Sequence, residues 1–271
     1  MSKILDQIIK YKKTELQEKK ELFPVKGLEK SIYFETPVVS LSEYLLRKDK
    51  LGIIAEIKRK SPSKGMIHEY VDIEKISIGY MQAGASALSI LTDTFFFGGS
   101  SEYLTQTRHF NYCPILRKDF IFDEYQIIEA KSIGADAILL IASVLSPAQV
   151  KSLAAFATKL GLEVLLEVHT PEEAQEYPNE FTRLVGVNNR NLDTFEVDIQ
   201  TSVRLSEIIP NDFVKVSESG ISDPQNVMHL KRCGYQGFLM GEHFMQSANP
   251  HLRCADFIKD LKKLEEGKDE N

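Results

Sequence analysis

From Gly52 onward the chain alternates between two patterns. Short apolar runs recur at about 53–58, 86–91, 113–118, 136–141, 162–168, 184–188, 213–217 and 236–240. Between them lie stretches with apolar residues at helical spacing. The runs read as strands and the stretches as helices. Ser146-Pro147 followed by Gln149 supplies an N-cap, a proline at the first helical position and a capping-box partner. Thr170-Pro171 with Glu173 repeats the arrangement, and Asp223-Pro224 is a looser version. Gly84, Gly134, Gly161 and Gly234 fall just after helices. Eight strands alternating with about eight helices predict an α/β protein, a (β/α)8 barrel. Even spacing, with no candidate edge strand and no GxGxxG, favours closure over an open doubly wound sheet.

The part before Gly52 is different. Residues 3–20 read as an amphipathic helix, with Ile4, Leu5, Ile8, Ile9 and Leu16 at roughly helical spacing. Phe23–Pro37 reads as irregular. Ser40 with Glu43 makes a capping box, and Leu41, Tyr44 and Leu45 form the face of a short second helix. The expectation is a single barrel domain over 1–271. It has an N-terminal helical extension over 1–50, the barrel over 51–263 and a flexible tail over 264–271.

Some polar residues break the apolar pattern. In Gly52–Gly65, Ile54, Glu56 and Lys58 share one strand face, and Ile53, Ala55 and Ile57 share the other. A carboxylate and an ammonium at the end of an apolar strand are costly to bury. They are either a structural ion pair or the wall of an active site. In barrels, catalysis sits at the C-terminal strand ends. Lys118 ends the third strand, Glu167 points inward from the fifth, Asn188 ends the sixth, and Ser217-Glu218-Ser219-Gly220 ends the seventh. Each has a plainer use: Lys118 can pair with Asp119 or Asp123, Glu167 with a lysine, and Asn188 can cap a turn. Lys215 reads as a stem packed in the lower barrel. Together, two glutamates, two lysines and an asparagine at four strand tops point to chemistry. Two unit charges about 4 Å apart interact by roughly 4 kcal/mol at an effective dielectric of 20. Such clusters shift pKa values, as acid–base catalysis requires.

Glycines after the last two strands suggest a phosphate. Gly220 follows the seventh strand and Gly241 the eighth, where barrels often form a cup of backbone N–H groups. Ser61 and Lys64, in a basic loop read as a mobile flap over Arg59–Lys64, extend the anion site. Phe97 after the second strand lines a pocket or belongs to a plain glycine turn.

Composition narrows the class. At 271 residues and 43% hydrophobic, the chain can bury a large core. The net charge of −6 gives no reason to expect nucleic acid or a membrane surface. Cys113, Cys233 and Cys254 are isolated, as in a reducing compartment, and show no zinc spacing. With no signal peptide and no candidate membrane span, a cytoplasmic protein is expected. The six histidines show no metal spacing, and His169 reads as a rim residue. No Cys–His or Ser–His–Asp arrangement and no P-loop stands out.

The segments IIAEIKRKSPSKG, LRKDFIFDEYQI, LEVLLEVH, GVNNRNL, VSESGI and FLMGE, in this order, resemble indole-3-glycerol phosphate synthase. The resemblance spans about residues 50–250 and the helical extension. It implies a barrel that needs neither metal nor organic cofactor. The implied substrate is 1-(o-carboxyphenylamino)-1-deoxyribulose 5-phosphate, whose pyrrole ring is closed with loss of CO2 and water. Lys118 would protonate the carbonyl. Lys58 would hold the departing carboxylate, with Arg190 near it. Glu167 would stabilise the cationic intermediate and accept a proton. Glu56 would orient Lys58, Asn188 would hold polar groups, and Ser219 would bond a hydroxyl. Glu218 joins the substrate-contacting set. Gly220, Gly241 and Ser61 would hold the phosphate, and Phe97 and Leu139 would enclose the aromatic ring. Glu242 replaces a serine that many relatives carry, and is expected to point away from the phosphate. The resemblance implies a phosphorylated small-molecule ligand, a monomer or weak homodimer, and leaves open contact with other tryptophan-pathway enzymes. Another phosphate-binding barrel enzyme, or a non-catalytic phosphate-binding barrel, is the alternative.

Overall fold

The apolar runs form eight strands: β1 Ile53–Ile57, β2 Ala87–Leu91, β3 Ile115–Lys118, β4 Ala137–Ile141, β5 Glu163–Val168, β6 Leu184–Asn188, β7 Val214–Glu218 and β8 Gly237–Met240. The structure is a computed structural model and describes residues 3–267. Each strand pairs in parallel with its chain neighbour, and β8 pairs with β1, so the barrel closes as expected. Period-two alternation sorts the side chains. In β5, Val164, Leu166 and Val168 pack into the outer layer, while Leu165 faces inward with Ile54, Leu116, Leu139, Val216 and Leu239. Burying each such side chain contributes about 1.5–3 kcal/mol. Lys215, read as a stem packed in the lower barrel, is buried on the outer face near the start of β7. Its neighbours Val214 and Val216 take the inward positions, and its Nζ donates to Ser206 O at 2.7 Å.

Among the described residues, three helices precede the barrel: α1 Lys3–Leu22, α2 Val25–Leu28 and α3 Leu41–Leu45. The stretch read as irregular thus contains one short helix. Behind the strands follow α4 Ile73–Ala83, α5 Ser101–Phe110, α6 Glu124–Ser132, α7 Pro147–Lys159, α8 Pro171–Glu176, α9 Gln200–Ser206, α10 Pro224–Arg232, α11 Glu242–Met245 and α12 Pro250–Glu266. The box at Ser146 and Gln149 closes in both directions. At Thr170 only half forms: Thr170 accepts from Glu173 N, but the Glu173 carboxylate takes the N–H of His169. Ser40 accepts from Glu43 N and gives its own hydroxyl to Glu163, a one-sided cap. A second full box, Asp123 with Gln126, opens α6. α12 runs through Glu266, so positions 264–266 are helical rather than tail; 268–271 lie outside the described residues.

The extension threads from one end of the barrel to the other. α1 lies over the C-terminal mouth, where Ile4, Leu5 and Ile8 face the same cavity as Lys118. Lys19 and Lys20 pair with Glu129 and Asp123 at 2.9 and 2.8 Å. The chain then descends beside α6, where Lys131 Nζ donates to Thr36 O. α3 closes the other end. Leu41 and Leu45 join the inner cluster, and Ser42 donates twice to the Glu163 carboxylate at the start of β5. Among the described residues, no helix is long and apolar enough to cross a membrane.

Candidate active site

Strand alternation gathers the polar strand-end residues into one chamber. Glu56, Lys118, Glu167, Asn188 and Glu218 face a cavity of about 840 Å³, a size suited to a small molecule. Lys58, Ser61, Phe97, Leu139, Arg190, Ser219, Gly220 and Gly241 face the same cavity. Lys118 sits at the centre of charge. Its Nζ is 2.8 Å from Glu167 Oε2 and 3.2 Å from Glu218 Oε2. Burial opposes its charge, but Glu167, Glu218 and Glu56 outweigh that and raise Lys118 above the usual lysine range. Burial likewise pushes Glu167 up, yet Lys118 and His169 hold it well below the usual carboxylate range. Glu218 goes the other way. Burial, helped by Glu167 and Glu56, pushes it up to about 7 against the pull of Lys118. The two buried carboxylates that touch Lys118 are thus pushed in opposite directions.

The plainer uses and the site coexist. Lys58 Nζ donates to Glu56 Oε1 at 2.8 Å, so the pair is an ion pair and also a cavity wall. Asn188 caps a turn by accepting Arg190 N, while its Nδ2 donates to Glu167 Oε1 at 3.1 Å. Lys118 pairs with neither Asp119 nor Asp123, because Asp119 is taken by Lys12, Arg117 and Thr92, and Asp123 by Lys20.

One wall is apolar. Phe97 lies 5.9 Å from Phe120 between ring centroids, with Ile8 and Leu139 beside them. Phe97 is fixed from behind, since Asp93 Oδ1 accepts its N–H.

The rim carries the glycines. Ser219 has φ 69°, a left-handed conformation that costs a side-chain-bearing residue on the order of 1–3 kcal/mol. Asn189 fixes it, donating from Nδ2 to Ser219 O and Ser217 Oγ. Gly220 also has positive φ, and a Cβ there would lie 2.2 Å from Val197 Cγ1. At Gly241 a Cβ would lie 2.7 Å from Glu56 Oε1, so only glycine lets this turn approach β1. The loop after β1, expected as a mobile flap, contains regular pairing. Lys60–Ser61 pairs with Gly65–Met66 as a small antiparallel hairpin, and Lys60 N donates to Phe97 O.

The family model for indole-3-glycerol phosphate synthase matches residues 5–257. The chain belongs to the indole-3-glycerol phosphate synthase family. Relatives bearing that name include one from Bacteroides thetaiotaomicron, 47% identical, covering 96% of this chain and 99% of the relative. Another, from Campylobacter curvus, is 42% identical and covers 97% and 100%. A third, from Caldanaerobacter subterraneus, is 41% identical and covers 96% and 99%. A solved structure titled "Native KDPGal structure" superposes with a TM-score of 0.58 at 15% identity, over 83% of this chain and 99% of that one. That likeness shows the fold alone.

In this member of the synthase family, Glu242 does not turn away from the cavity. It lines it, accepts from Arg190 Nη2 at 3.1 Å, and lies 3.8 Å from Lys64 Nζ. A cation within reach makes the inward carboxylate tolerable. Several residues here escaped the sequence reading. Ile8 and Phe120 carry no polar signal that marks a site. Asn189 was overshadowed by Asn188. His169 lies 3.3 Å from Glu167 Oε1 rather than on the open rim, and its spacing of two from Glu167 was the available signal.

Proposed function

We propose that the chain is an indole-3-glycerol phosphate synthase, a carboxy-lyase that closes the pyrrole ring of 1-(o-carboxyphenylamino)-1-deoxyribulose 5-phosphate. The observation that carries this reading is Lys118, a cation held between two buried carboxylates opposite an apolar wall. Lys118 donates a proton to the substrate carbonyl oxygen as the ring carbon bearing the carboxylate attacks the carbonyl carbon. Held above the usual lysine range by the surrounding carboxylates, Lys118 carries its proton throughout the neutral range, so a proton is in place to be donated. The C–CO2 bond then breaks, and its electrons neutralise the cationic ring. The new hydroxyl leaves as water after protonation, and a base removes a proton to complete the pyrrole. Glu167, ionised beside Lys118, is that base. A positioned acid of this kind accounts for roughly 100- to 10,000-fold in rate.

The other assignments follow the same cavity. Lys58, oriented by Glu56, holds the departing carboxylate with Arg190. Asn188, Glu218 and Ser219 bind the sugar hydroxyls. Ser61 and the backbone of Gly220 and Gly241 take the phosphate, and Phe97 and Leu139 enclose the aryl ring. The test is conversion of that substrate by the purified chain, followed by the fluorescence of indole-glycerol phosphate. Product formation is expected; no product from folded protein would remove the reading.

A further inference from the structure

His169 has no part in the chemistry above, yet it adjoins the group that accepts the proton. Its Nε2 lies 3.3 Å from Glu167 Oε1. Its Nδ1 lies 3.0 Å from Ser143 Oγ and 3.5 Å from Glu173 Oε2. Glu173 is fixed in turn, because its carboxylate accepts the His169 backbone N–H at 2.7 Å and its own N–H is capped by Thr170. The ring is enclosed, with 11% of its side-chain surface exposed.

We propose that His169 is a positioning residue, an imidazolium stationed behind Glu167 that keeps its carboxylate ionised and Oε2 turned to Lys118. The proposal rests on the reading of Glu167 as the proton acceptor. The geometry divides the carboxylate in two. Oε2 faces Lys118, while Oε1 takes Asn188 Nδ2 and faces the histidine. Asn188 supplies a neutral donor only, so without His169 a single cation would hold a fully buried carboxylate. Glu218 and Glu56 press on the same centre with negative charge from β7 and β1. A second cation offsets them. The histidine's own surroundings fit. Glu167 on β5, Glu173 on α8 and Ser143 after β4 face it, and among the described residues no lysine or arginine pairs with it. Burial opposes its charge, but the two glutamates raise it to about 9. Its Nε2 makes no aligned hydrogen bond among the described residues, so it acts on Glu167 chiefly through charge.

The test is the pH profile of kcat for four variants, each checked by thermal unfolding. In His169→Phe, Glu167 loses a cation and protonates more easily. The acid limb should move up by about one pH unit, and kcat should fall about tenfold or more, up to the roughly 100-fold typical of a misplaced group. His169→Gln keeps a donor but no charge. It should recover part of kcat at neutral pH while the acid limb stays raised. In Glu173→Gln, His169 loses its proton at lower pH, so the alkaline limb should move down. Unmoved limbs in all three would overturn the proposal. Glu167→Gln separates the two readings: full turnover there removes Glu167 as base, whereas lost turnover with unmoved histidine profiles removes only His169. Should the histidine variants not fold, NMR of the 15N-histidine-labelled wild-type enzyme decides. His169 charged at pH 7 supports the proposal, and neutral His169 overturns it.

Discussion

Glu218 is ionised only against its surroundings. One oxygen lies 3.2 Å from Lys118, and the other has no hydrogen-bond partner among the described residues. Its pKa is raised from 4.5 to about 7, chiefly by burial. The native state therefore binds this proton more tightly than the unfolded chain does. The contribution is favourable at low pH and is lost as pH rises from about 4.5 through 7. Glu218→Gln removes the group that burial disfavours. Thermal unfolding should show the variant more stable than wild type at pH 8, with the difference gone near pH 4. Turnover should fall, because Lys118 loses one of its two anionic neighbours. A variant less stable than wild type at pH 8 would contradict this account of Glu218. Stability given up at the site in exchange for activity is a common pattern.

Among the elements, α1 is held in place by buried charge. Lys12 Nζ lies 3.0 Å from Asp119 Oδ1 and 2.9 Å from Glu15, with Asp93 at 3.8 Å. Asp119 also takes the buried guanidinium of Arg117, which reaches on to Glu129. Removing one partner from such a network costs about 3–5 kcal/mol, because it strands the charges left behind. Lys12→Met should lower stability to urea by that order, and a loss under 1 kcal/mol would contradict the network. Little of this was legible in the sequence. The periodicity of Ile4, Leu5 and Ile8 marks a helix, but not that the helix covers the barrel mouth. Lys12 and Asp119 are joined only by topology. The strands were legible because each is a local apolar run. The box at Ser146 was legible because both partners lie within four residues. At Thr170 the same local signal gave the cap but not the box, because His169 N–H competes for Glu173. Lys118 and Glu167 stood out because charge at the end of an apolar strand is costly without a use. His169 carried the same alternation signal, masked by its position past the strand end.

Across the whole molecule the two ends of the barrel are used differently. α3 and Glu163 close the N-terminal end with apolar packing and capped hydrogen bonds. The C-terminal end gathers the carboxylates and lysines under α1, around one cavity. Stability at one face and chemistry at the other is the division expected of a (β/α)8 barrel. It makes the central claim specific, since Lys118 is the group on which the other charges converge. The most direct measurement is turnover and substrate affinity of Lys118→Met beside wild type. Turnover should fall at least about 100-fold, the contribution of a positioned general acid, with substrate affinity partly retained. Turnover equal to wild type would contradict Lys118 as the acid and the site built around it.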